Sequence, residues 1–166
     1  MKKRAFIGSI IGIIVMALGM TACKDSSVTA KVVTKTYSLV CNVGDYVTNI
    51  DSTNLISRAQ SLLAPMDTLS EALTFITKNI NDDKVKTYLT QANSYIQTIS
   101  VLIKTVKPED ADKFKISILG YVLNTKATLE KAADVLGVSL SARSFNGDFK
   151  EIGEQANELH LMIRNN

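Results

Sequence analysis

Residue types that commonly carry catalysis are scarce in this 166-residue chain, which has one histidine, two cysteines and no tryptophan. A catalytic zinc site usually needs three protein ligands, commonly richer in His and Cys than this sequence. The absence of tryptophan argues against a sugar-stacking site. The sequence also has neither a Gly-x-Ser-x-Gly elbow nor a Gly-rich phosphate loop. We therefore predict a protein that is not an enzyme, with no catalytic residue, no metal site and no dissociable cofactor.

The single histidine and the two acidic clusters each have a structural explanation. His160 could act as a base or a ligand with Glu154 or Glu158 on nearby turns, but a solvated or capping histidine near a helix C-terminus is favoured. Asp82–Asp83 and Glu109–Asp112 could attract calcium. Neither has the spacing of an EF-hand loop, and both precede helical patterns. Acidic residues complement the positive end of a helix dipole, so we interpret both clusters as helix starts.

The N-terminus has the three parts of a secretory signal peptide. Met1–Arg4 is cationic, Ala5–Met20 is an uncharged and mostly apolar run, and small residues precede Cys23. An uncleaved membrane helix is one alternative, although 16 apolar residues fall short of the roughly 20 needed for a span. Ordinary cleavage after Gly19 is another.

Met20-Thr21-Ala22-Cys23 resembles the lipobox of bacterial lipoproteins. The resemblance covers only the first 23 residues, and Met20 stands where that family most often has Leu. It implies that a peptidase removes residues 1–22 and that the sulfur of Cys23 carries a diacylglycerol. The only group attached to the chain would then be this covalent acyl anchor on Cys23, and the first partner would be a membrane, reached through the lipid.

Removal of residues 1–22 leaves 144 residues, enough for one domain with a real core. Three of the 19 Lys and Arg residues lie in this signal peptide, the leader of residues 1–22. The remaining chain then has 16 basic and 16 acidic residues. A neutral chain has no strong electrostatic attraction for nucleic acid. Cys41 would be the only free thiol, because lipidation consumes Cys23. Its apolar neighbours favour a buried thiol over an intermolecular disulfide.

Residues 23–27 form a short polar tether after the leader, which places the domain of residues 28–166 close to a bilayer. In enteric-type bacteria, Asp directly after the lipidated cysteine resembles an inner-membrane retention signal. Here Lys24 occupies that position and Asp25 comes one residue later. We therefore expect anchoring in the inner leaflet of the outer membrane, with the domain facing the periplasm.

The remaining sequence predicts an all-α fold, an antiparallel helical bundle of four to five helices behind the lipoprotein signal peptide. Residues 28–43 carry both β-branched residues and a loose helical stripe, and helix is favoured because no second strand is convincing. From residue 52 onward, apolar residues recur every three to four positions. The faces of Met66–Ile80 and Val85–Val106 should pack against each other, which would bury Leu73 and Ile96.

Several residues mark where the predicted helices begin and end. Pro65 and Pro108 interrupt the apolar pattern, and proline is tolerated in a first turn. Gly137 fits a left-handed C-terminal cap. Ser139–Gly147 is predicted to be a loop before a last short helix that begins near Phe149.

Two classes of function remain open. The first is a noncatalytic binding or assembly module for another envelope protein, of the secretion-pilot, assembly-accessory or exclusion type. The second is a carrier or enzyme that uses the bundle interior for a lipid-like ligand. If the chain works by contact, Arg143 and Phe145 in the loop are the candidate partner-binding residues, since both types are enriched at binding hot spots. Alternatively, Phe145 fixes the last helix to the core while Arg143 is solvated.

Overall fold

The computed structural model describes the backbone of residues 8–166 and the side chains of residues 28–166, and in this part the chain is helical. The leader and the lipidation predicted at Cys23 therefore lie outside the described side chains. The helices are α1 (Gly8–Asn49), α2 (Leu55–Gln60), α3 (Leu63–Asn79), α4 (Asp83–Thr105), α5 (Ala111–Leu136) and α6 (Phe149–Arg164). Single 3-10 turns at Ser52–Asn54 and Pro108–Asp110 precede α2 and α5.

The five long helices pack in a ring, in the order α1, α6, α3, α4, α5 and back to α1. An odd ring cannot alternate helix direction throughout, so one neighbouring pair must be parallel. That pair is α3 and α6, since Glu71 lies beside His160 and Asn79 lies near Asn166. The prediction of an all-α bundle is confirmed, and the six-residue α2 is an addition to the four to five helices expected.

The second half of α1 is buried nearly all round, because it contacts α3, α5 and α6. A helix enclosed by neighbours carries apolar residues on every face instead of one stripe. This explains why residues 28–43 resemble a strand by composition and yet form a helix. The preference for helix over strand in this segment is confirmed. Its fully buried residues include Val32, Val33, Leu39, Val43 and Val47.

The predicted helix boundaries are largely correct. The Asp82 side chain accepts a hydrogen bond from Val85 N at 2.9 Å and caps α4, which satisfies an amide that has no partner within the helix. Gly137 ends α5 with φ 66°, in the left-handed region. Pro65 does not break a helix. It lies in the first turn of α3, where its missing N–H costs nothing, and the break falls at residues 61–62.

The helices share one continuous core, and α1 and α5 approach closely at Gly44. A Cβ on Gly44 would stand 2.9 Å from Val122 Cγ1, so this glycine allows the two helices to approach closely. The predicted contact of α3 with α4 is present. Leu73 is 0% exposed and Ile96 is 1% exposed, as that contact requires. Within the described part of the chain, no helix combines the length and hydropathy needed to span a bilayer.

Candidate functional site

A polar groove of about 220 Å³ opens where α1, α6 and the loop between α5 and α6 meet. Residues of α1 spaced three and four positions apart share one helix face, and residues of α6 spaced three apart do the same. These two faces form the walls and the loop forms the rim. The groove is lined by Thr34, Lys35, Ser38, Ser141, Arg143, Gln155 and Glu158.

Glu158 is the electrostatic centre of this groove, because two cations share its carboxylate. Lys35 Nζ donates to Glu158 Oε2 at 2.8 Å, and Arg143 Nη1 lies 3.6 Å from Oε1. The hydrogen bond from Lys35, with the positive charges of Lys35 and Arg143, lowers the pKa of the Glu158 carboxyl below its ordinary value. All three side chains remain 40% to 58% exposed. The trio carries a net charge of +1 on a surface that water reaches.

The loop that carries Arg143 is held at several points. Arg143 N donates to Ser38 Oγ at 2.9 Å, which joins the loop to α1. Near α6, Asn146 N donates to Glu151 Oε2 at 3.1 Å and Asp148 N donates to Asn146 Oδ1 at 2.8 Å. These bonds satisfy backbone groups that no helix or sheet would satisfy. The backbone at Arg143 is therefore fixed by contacts within the chain.

A buried amide pair connects α1 and α6 next to the groove. Asn42 is 1% exposed and Gln155 is 7% exposed, and Asn42 Nδ2 donates to Gln155 Oε1 at 2.9 Å. Buried polar side chains are costly unless they are hydrogen-bonded, so this bond favours one register of α6 on α1. Gln155 also lines the groove. The pair thus links the core to the position of the groove wall.

The structure brings both predicted contact residues to one concave surface. Arg143 lines the 220 Å³ groove and also a neighbouring open depression of about 590 Å³, which Phe145 lines too. The Arg143 side chain is 58% exposed. Phe145 is half-buried and packs against the core cluster. The last helix is also held to α1 by Phe149, whose ring centroid lies 5.6 Å from that of Tyr46.

Other residues singled out in the sequence lie away from the groove. His160 faces α3, where its Nδ1 lies 3.3 Å from Glu71 Oε2, and neither Glu154 nor Glu158 is its partner. Cys41 is 7% exposed, which confirms the prediction of a buried thiol. Burial raises the pKa of this thiol despite the nearby Lys126 ammonium. A thiol of this kind is a poor nucleophile.

Sequence reasoning missed Lys35, Ser38, Asn42 and Gln155, and it considered Glu158 only as a neighbour of His160. One signal was available: Asn42 lies inside the apolar run from Val40 to Val43, where an amide needs a buried partner. The identity of that partner was not available, because Asn42 and Gln155 are 113 positions apart.

Among residues 28–166, no group of three or more His, Cys, Asp or Glu side chains is arranged to hold a metal ion. The groove instead offers hydrogen-bond donors and one carboxylate, which suits recognition of a polar or acidic group. The chain matches no protein-family model, no curated protein and no solved structure.

Proposed function

We propose that this chain is a lipid-anchored envelope protein whose helical domain binds another envelope protein and performs no catalysis. The anchor is the acylated Cys23, in the inner leaflet of the outer membrane with the domain in the periplasm. The contact surface is the loop and groove around Arg143. The partner contributes an acidic side chain or chain terminus that pairs with the Arg143 guanidinium.

The observation that carries this proposal is the arrangement of Arg143. Ser38 holds its backbone, and its guanidinium Nη1 lies 3.6 Å from Glu158 Oε1. A guanidinium has five N–H donors in a planar fork that matches a carboxylate. The Arg143 side chain is 58% exposed, and Arg143 and the half-buried Phe145 line the same depression. A positioned cation next to an aromatic ring is a common composition of a binding hot spot.

The groove also lies near the end of the domain that follows the predicted tether. Thr34–Ser38 begin six residues beyond Val28, the first residue of the predicted domain. At about 1.5 Å per residue of helix, the groove lies roughly 10–15 Å along α1 from that end. With a tether of residues 23–27, the groove stays close to the bilayer to which Cys23 is attached.

Anchoring is tested by metabolic labelling with a radioactive fatty acid. One short acyl chain binds a membrane only marginally and two or more bind stably, so the anchored form carries at least two. Cys23→Ser is expected to abolish labelling and to leave an unprocessed or soluble form. Equal labelling of wild type and Cys23→Ser would contradict the anchor. Sucrose-gradient fractionation then tests the membrane: cofractionation with inner-membrane markers would contradict the sorting inferred from Lys24.

Contact is tested by site-specific photo-crosslinking in intact cells. A photoreactive residue at exposed Ser144 should give a discrete adduct with an envelope protein, and Arg143→Ala should remove it. The same probe at Lys104, on the outer face of α4, is the control and should give no such adduct. An adduct that persists in Arg143→Ala would disprove the assigned surface.

A second test separates contact from folding. Because Arg143 is 58% exposed, Arg143→Ala should leave the melting temperature nearly unchanged. Phe145 also packs against the core, so the double variant Arg143→Ala/Phe145→Ala should melt slightly lower. A fall of many degrees in the single variant would show that Arg143 is structural. His160→Ala should leave function intact, and complete loss of function without unfolding would favour an enzyme.

A carrier of a lipid-like ligand has less support. The partly apolar pocket between α1 and α3, lined by Val28, Val32, Phe75 and Ile76 among others, has about 190 Å³. Pockets for drug-sized ligands usually have about 300–1,000 Å³. The groove at Arg143, lined by polar and charged side chains, has about 220 Å³ and is also smaller than such pockets.

A further inference from the structure

The two cations of the groove hold the Glu158 carboxylate unequally. Lys35 Nζ donates a hydrogen bond to Glu158 Oε2 at 2.8 Å. Arg143 Nη1 lies 3.6 Å from Glu158 Oε1, whereas N–H···O hydrogen bonds join atoms about 2.7–3.2 Å apart. This contact of Arg143 is therefore an ion pair without a hydrogen bond. Of the two cations, Lys35 holds the carboxylate more closely.

This unequal sharing follows from how the three side chains are positioned. Lys35 and Asn42 are seven residues apart on α1, close to two full turns, and so they share a helix face. Gln155 and Glu158 are three residues apart on α6 and also share a face. The buried hydrogen bond between Asn42 and Gln155 fixes these two faces against each other, so that Lys35 meets Glu158. Arg143 comes from the loop, which a separate hydrogen bond holds to α1.

Glu158 presents to Arg143 the same chemical group that the proposed partner would present. A carboxylate binds a guanidinium most strongly when both oxygens accept parallel N–H···O bonds. Without Lys35, both oxygens of Glu158 are free to turn towards Arg143 and occupy its planar fork. With Oε2 bonded to Lys35, that bidentate pairing requires the lysine bond to break. The lysine thus keeps the guanidinium accessible to a second carboxylate.

We propose that Glu158 competes with the partner's acidic group for Arg143, and that Lys35 is a positioning residue that weakens this competition by holding the Glu158 carboxylate. The inference deepens the proposed function and rests on it. The charges agree with it. Lys35, Arg143 and Glu158 together carry a net charge of +1, so one carboxylate of the partner neutralises the groove. Without Lys35, the partner would meet a neutral Arg143–Glu158 pair.

The test is the yield of the photo-crosslinked adduct from the probe at Ser144, measured in charge variants in intact cells. Glu158→Gln keeps the shape of the side chain and removes its charge. Lys35→Met keeps most of the apolar stem and removes the ammonium group. Lys31→Met is the matched control, because it removes the same charge one turn earlier on α1, at an exposed position that does not line the groove.

Removing the competitor should strengthen contact. Glu158→Gln should raise the adduct yield about two- to fivefold, the effect of one exposed ion pair. Lys35→Met should lower the yield by a similar factor, and Lys31→Met should leave it unchanged. In the Glu158→Gln background, Lys35→Met should have no effect, because no competing carboxylate remains to be held. An equal decrease in both backgrounds would show that Lys35 attracts the partner directly and would overturn the proposal, as would a lower yield in Glu158→Gln.

A second measurement needs no partner. NMR of the full chain, purified in detergent micelles, reports the rotation of the Arg143 guanidinium about its Nε–Cζ bond. At about pH 6 Glu158 is ionised, because its pKa lies below the ordinary value of a glutamate. Rotation should be slower in Lys35→Met than in wild type, since Glu158 then pairs with Arg143 through both oxygens. The double variant Lys35→Met/Glu158→Gln should restore fast rotation.

The two measurements separate the two proposals. If wild type gives no adduct in cells, the proposed function fails, and the NMR comparison alone decides the role of Lys35. Equal rotation of the Arg143 guanidinium in wild type and Lys35→Met would overturn the positioning role, even where the adduct forms.

Discussion

Replacing Gly44 by alanine gives a sharp test of how α1 packs on α5. Alanine is preferred over glycine in a helix by about 1 kcal/mol, so the local effect alone would stabilise the protein. The new Cβ, however, would stand 2.9 Å from Val122 Cγ1, which is closer than such contacts allow. Valine has a stiff χ1 in helices and cannot turn away cheaply. The two helices must therefore move apart.

The expected change in the free energy of unfolding is the difference between the gain in helix propensity and the cost of overpacking. Overpacking a well-filled core costs about 1–3 kcal/mol, so Gly44→Ala should be neutral to about 2 kcal/mol less stable than wild type. Gly153→Ala in α6 is the matched control, because a Cβ there would meet nothing within 4 Å. It should gain about 0.5–1 kcal/mol. Urea unfolding followed by circular dichroism measures both free energies of unfolding.

A double variant identifies the contact responsible. Val122→Ala removes the clashing methyl group, so the alanine at position 44 can occupy part of the space it leaves. The double variant Gly44→Ala/Val122→Ala should be more stable than the sum of the single effects, by about 1 kcal/mol. If Gly44→Ala stabilises the protein as much as Gly153→Ala does, the close approach of α1 and α5 is wrong.

Three further outcomes are expected. Ile96→Ala, in a side chain only 1% exposed, should cost about 2–5 kcal/mol in urea unfolding, and a cost near zero would contradict its burial between α3 and α4. In a Cys23→Ser background, the Cys41 thiol should react with Ellman's reagent slowly when folded and rapidly in urea, because burial raises its pKa and blocks access. The Glu158 carboxyl should titrate below its ordinary pKa by NMR and return towards it in Lys35→Ala. Because the pKa of Glu158 is lowered by folding, its contribution to stability is present above the ordinary carboxyl pKa and is lost as the pH falls through the folded value.

Local chemistry determined the boundaries of most helices. Asp82 caps α4 and Gly137 ends α5 as expected, because capping depends on a few adjacent residues and their dihedral angles. The periodic apolar faces of α3 and α4 were also predictable, since each buries only one side. Their contact with each other follows from the short connection at residues 80–82.

Residues 28–43 show where the sequence alone was insufficient. Amphipathic patterns identify a helix that has one solvent-facing side, and this segment has almost none. Its β-branched residues are compatible with either a strand or an enclosed helix. The choice between helix and strand depends on α3, α5 and α6, which surround this segment and bury nearly every face of the helix.

The candidate site was predictable only by residue type. Arg143 and Phe145 stand out in the loop because of their side chains, and the acylated Cys23 is a prediction from a local motif. Ser38 and Arg143 are 105 positions apart and Lys35 and Glu158 are 123 apart, so no local rule links them. They meet because the packing of α6 against α1 fixes its register, with the buried Asn42–Gln155 bond as one determinant. The sequence by itself determined the helices and their caps, whose energetics are local, and the tertiary structure decided which charges share the groove.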